Sequence, residues 1–71
     1  MSMPNMPKWV DDQGEVVSCT EKIKVMQQNM EELHQLAQDA FEDGLLMGCS
    51  ETQLRHYFAD LVAGLTNPYR R

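Results

Sequence analysis

The chain has 71 residues, 42% of them hydrophobic and 24% charged, with a formal net charge of −5. That length leaves room for one domain with a marginal core, which chains this short usually supplement with a disulfide, a metal or a second copy of themselves. The composition excludes a disordered tail, and 6 basic residues against 11 acidic ones argue against DNA or RNA as the main partner.

Residues 1–7 hold Pro4 and Pro7 and show no periodicity, so they read as a flexible lead to a single domain over 8–71. They lack the basic and apolar regions of a signal peptide, and no apolar run approaches a membrane span, so a cytoplasmic location is expected. Lys8-Trp9-Val10 and Glu15-Val16-Val17 are β-prone runs flanking Asp11-Asp12-Gln13-Gly14. That pattern predicts a short β-hairpin or, failing that, an extended arm, anchored on the helices by Trp9.

The first helix is predicted over 18–47. Ser18-x-x-Glu21 matches the capping box that opens a helix, and Gly48 is a natural stop. Cys19, Ile23, Met26, Met30, Leu33, Ala37, Ala40, Gly44 and Met47 recur in steps of four and three, a heptad seam that Leu36 and Phe41 widen. Its first half is bulky and its second half small. A second helix is therefore expected to press in near Ala37, Ala40 and Gly44. Gly44 is also the point where the first helix would kink if it kinked at all.

The second helix is predicted over 50–66, opened by the capping box Ser50-x-x-Gln53 and closed before Asn67-Pro68. Leu54, Tyr57, Phe58, Leu61, Val62 and Leu65 form its apolar face. So short a link makes the helices antiparallel neighbours. The fold class is thus mainly all-α, an antiparallel two-helix hairpin with the N-terminal segment packed on it. The first helix overhangs the second by roughly ten residues, and the overhang exposes Ile23, Met26 and Met30.

Chemistry-bearing residues are few. Glu31-x-x-His34 has the spacing of half a di-iron site, but the second helix offers no inward acid to complete it. Cys19, Cys49, His34 and His56 match no zinc spacing. Cys19 and Cys49 would lie at opposite ends of the first helix, about 40 Å apart, too far for an intramolecular disulfide. No phosphate loop, catalytic triad or H-E-x-x-H motif occurs. Neither catalysis, a metal nor a cofactor is expected.

What remains is an acidic protein–protein interaction module, an adaptor or regulator. Ile23, Met26, Met30, Leu36 and Phe41 are its candidate partner-binding residues, with a homodimer or a larger protein as the partner. If two long helices paired antiparallel, Cys19 of one chain would approach Cys49 of the other. One alternative is an accessory subunit of a larger enzyme. Another is a thiol-based redox sensor through Cys19, whose place in the first helical turn beside Lys22 favours the thiolate.

Overall fold

A computed structural model describes residues 3–70 and contains two α-helices, α1 (Thr20–Leu46) and α2 (Glu51–Ala63). The chain forms two compact units, Met1–Gln38 and Asp39–Arg71, and α1 runs from the first into the second.

In the first unit the expected hairpin does not form: among the described residues there is no strand. Residues 8–17 carry one isolated antiparallel bridge, Val10 to Val16. Around it the Asp11 amide donates to the Glu15 carbonyl (2.9 Å) and the Val17 amide to the Trp9 carbonyl (2.8 Å). The Asp11 carboxylate accepts from the amides of Gln13 and Glu15, both at 2.9 Å, and Gly14 turns the chain at φ +82°. Pairing stops there for a physical reason. Pro7 has no N–H to extend the ladder on one side, and on the other the chain turns into α1 at Thr20.

The opening of α1 also differs from expectation. The Ile23 amide bonds to the Cys19 carbonyl at 3.0 Å, so Cys19, not Ser18, is the N-cap. The helix then runs unbroken past Gly44. Its end is a Schellman motif: Cys49 N–H to Gly44 C=O (2.9 Å), Gly48 N–H to Leu45 C=O (3.0 Å), and Gly48 at φ +89°.

The half-buried face of α1 is not quite the predicted seam. Met26, Met30, Ala37 and Phe41 lie on it, but the position expected for Leu33 is taken by His34, and Leu33 is exposed. A straight helix turns every 3.6 residues, so a face written in steps of 3.5 drifts by about 20° per heptad. Without a partner to supercoil against, α1 follows its own period.

In the second unit, Ser50 caps α2 as expected, its Oγ accepting from the Gln53 amide at 3.2 Å. Leu54 meets α1 at Gly44, the one buried residue among those described. Phe41 meets Phe58 edge-to-face, with centroids 6.1 Å apart and planes at 67°. Contacts that rise along α2 as they fall along α1 are those of antiparallel neighbours. The helix ends at Ala63, three residues earlier than expected, with Gly64 as its C-cap. Glycine is a poor helix former, and Leu65 outside the helix gains no packing to hold another turn, being 72% exposed. Only Leu54 and Phe58 of the predicted apolar face are half-buried; Tyr57, Leu61, Val62 and Leu65 are all exposed.

Candidate interaction surface

Two concave features mark the first unit. A cleft of about 270 Å³ is lined by Trp9, Val10, Val17, Lys22, Ile23 and Met26. The N-terminal segment therefore lies along the start of α1, and it brings the half-buried Trp9 to the apolar residues of the overhang. The indole Nε1 is enclosed without a hydrogen-bond partner, a cost set against the apolar contact of the ring. Next to the cleft, a groove of about 300 Å³ is lined by Glu21, Lys22, Val25, Met26 and Asn29.

The five candidate partner-binding residues occupy different surroundings. Ile23 and Met26 line the cleft, and Met30 is half-buried on the same face of α1. Leu36 stands in the open. Phe41 is engaged within its own unit, against Phe58 on one side and under the Arg55 guanidinium, 4.7 Å from its ring centroid, on the other. Arg55 is held over the ring by Glu51, Nε to Oε2 at 3.0 Å. That ion pair is exposed and contributes little energy by itself, but it fixes the cation–π geometry.

Cys19 is exposed at the start of α1. A hydrogen bond from the Lys22 amide is the largest influence on its thiol. The Glu21 amide and the Lys22 charge act the same way, and together they outweigh a desolvation effect and hold the thiol below its ordinary pKa. The cap geometry explains this directly, because the sulfur stands where a serine oxygen would accept the free amides of the first turn. Cys49, beyond the other end of α1, is exposed and free. Among the described residues no three His, Cys, Asp or Glu side chains converge as a metal site, and no helix is long and apolar enough to cross a membrane.

The sequence reading passed over Val25, and it did not single out Lys22 and Asn29 as groove-lining residues. Val25 belongs to a stripe interrupted by Lys22 and Asn29, and those polar residues hide its periodicity. Nor did any signal favour Cys19 over Ser18 as the cap, since serine is the far commoner cap residue. Comparison with protein families, with curated proteins and with solved structures returned no match.

Proposed function

We propose that this chain is a small acidic protein–protein interaction module without catalytic activity, an adaptor or regulator of the cytoplasm that also binds itself. One observation carries the reading. Among the described residues no hydrophobic side chain is buried, while fourteen large ones are exposed on α1, α2 and the flanking segments. Apolar surface of that extent on a small chain marks a place where another protein sits. Burial of a Leu or Val side chain contributes about 1.5–3 kcal/mol, so a partner supplies the core that the chain alone lacks. Ile23, Met26, Met30, Leu36 and Phe41 are the residues assigned to that contact, with methionine giving an adaptable surface. An accessory subunit of a larger enzyme would draw on the same surface.

Quantitative affinity purification of the tagged chain from its native cells tests the reading. Several partners recovered below one-to-one support an adaptor, and a fixed one-to-one complex with an enzyme supports the accessory subunit. Recovery of a lone monomer under cross-linking conditions overturns both. The lowered thiol of Cys19 favours a second reading, a redox sensor. Mild peroxide treatment that changes the partner set in the native chain but not in Cys19→Ser would establish it.

A further inference from the structure

Beside its half-buried face, α1 carries a second apolar stripe. Val25, Leu33 and Leu36 are 58%, 54% and 69% exposed, with Asn29 exposed between them. At 100° per residue the four positions fall within an arc of about 80°. The groove described above lies on this stripe. Four of the residues that line it, Lys22, Val25, Met26 and Asn29, stand at i, i+3, i+4 and i+7. That spacing is the hole which receives a single side chain of a facing helix in knobs-into-holes packing. Leu36 is the most exposed large apolar side chain of α1 within the first unit, and it has the size of such a knob. The stripe is separate from the residues of the N-terminal segment, since Trp9, Val10 and Val17 line the neighbouring cleft instead.

We propose that the groove is filled by Leu36 of a second copy of this chain, the two α1 helices packing antiparallel. The proposal rests on the reading of the chain as a self-associating module and specifies the surface used. Charge selects both the occupant and the direction. Lys22 and Lys24 lie near the start of α1, and Glu42 and Asp43 near its end. A parallel pair would set lysine beside lysine and acid beside acid. An antiparallel pair sets the lysine end of each helix beside the acidic end of the other, and it opposes the helix dipoles as well. The two-fold axis that brings Leu36 of one chain opposite Val25 of the other falls between residues 30 and 31. The same operation places the first chain's groove around its partner's Leu36, which is the self-complementary contact of a two-fold dimer. Asn29 then lies close to its own copy across the axis, a polar pair of the kind that ties register.

Sedimentation of the full chain at tens of micromolar is the primary test, with a species of twice 8.2 kDa expected. Leu36→Glu, at a site exposed in the single chain, should weaken the dimer by about tenfold or more, because a charge is then forced into the hole. Its helical circular dichroism should remain. Leu46→Glu, off the stripe, should leave the dimer constant unchanged. Direction is read with a short bismaleimide on Cys49→Ser, which leaves Cys19 as the sole thiol. In the antiparallel dimer the two Cys19 residues are about 35 Å apart along the axis and should not be linked; a linked dimer means parallel helices and overturns the proposal. A dimer indifferent to Leu36→Glu but lost in Met26→Glu overturns this surface and leaves self-association standing. A chain that is monomeric throughout overturns self-association too, while the adaptor reading is decided separately by the purification.

Discussion

Leu54 lies over Gly44 so closely that a Cβ at position 44 would stand 2.8 Å from its Cδ2 and 2.9 Å from its Cδ1. The contact joins α2 to the last turns of α1, and it accounts for a glycine inside a helix that continues undisturbed. Two opposing terms act on Gly44→Ala. Alanine gains about 1 kcal/mol of helix propensity, whereas displacing both Leu54 methyls costs about 1–3 kcal/mol. The variant should therefore be less stable by up to about 1 kcal/mol. In a Leu54→Ala background the obstruction is gone, and Gly44→Ala should become stabilising by about 1 kcal/mol. Urea unfolding followed by circular dichroism reads this cycle, and an unchanged sign in the two backgrounds would refute the contact.

Gly48 closes α1 at φ +89°, a conformation that L side chains rarely adopt. Nothing lies within 4 Å of a Cβ built there, so any loss on substitution is purely conformational. Gly48→Ala should lower stability by about 1–2 kcal/mol, and Gly48→Asn by less, because asparagine tolerates the left-handed region. Equal losses for the two variants would point to a cause other than backbone strain.

The two serines of the capping boxes should behave differently. Ser50→Ala removes the Gln53 amide's acceptor and should cost about 1 kcal/mol, whereas Ser50→Gly should cost only a few tenths. Ser18→Ala should stay within about 0.5 kcal/mol, because the cap of α1 is Cys19. A thermal melt in which Ser18→Ala falls as far as Ser50→Ala would return the cap to Ser18.

The Cys19 thiol is held below its ordinary pKa in the folded chain, chiefly by the Lys22 amide. Its thiolate therefore favours the folded state. That contribution is present above the unfolded thiol pKa and is lost as pH falls through the lower folded value. Iodoacetamide alkylation of Cys49→Ser should show a midpoint at lower pH in buffer than in denaturant. Lys22→Ala should raise the native midpoint only slightly, since the backbone amide stays and only the lesser, charge effect goes. Coincident midpoints in buffer and denaturant would contradict the cap geometry.

Local patterns carried much of the architecture. Ser50-x-x-Gln53 and Gly48 are short-range devices whose partners lie within five residues, so the start of α2 and the end of α1 were legible from residue order. The helical class and the antiparallel neighbours followed from the two apolar stripes and the short link between them. The close approach at Gly44 followed from the run of small residues before it. The candidate surface was legible only in part. Ile23, Met26 and Leu36 were visible as apolar positions, but the groove at Lys22, Val25 and Asn29 was hidden because its polar members break the hydrophobic period.

By itself, then, the order of residues determined which stretches are helical, where two of their four ends lie, and that more apolar surface exists than two helices can cover. Tertiary structure decided the rest, because it depends on competition between distant or nearly equivalent groups. Cys19 displaced Ser18 as the cap because its sulfur meets the free amides of the first turn. His34 turned inward and Leu33 outward because a straight helix drifts from a heptad. Phe41 joined Phe58 and Arg55 because α2 brought them to it. Residues 8–17 stopped at a single bridge, since a proline before them and a helix start after them left no room for a ladder.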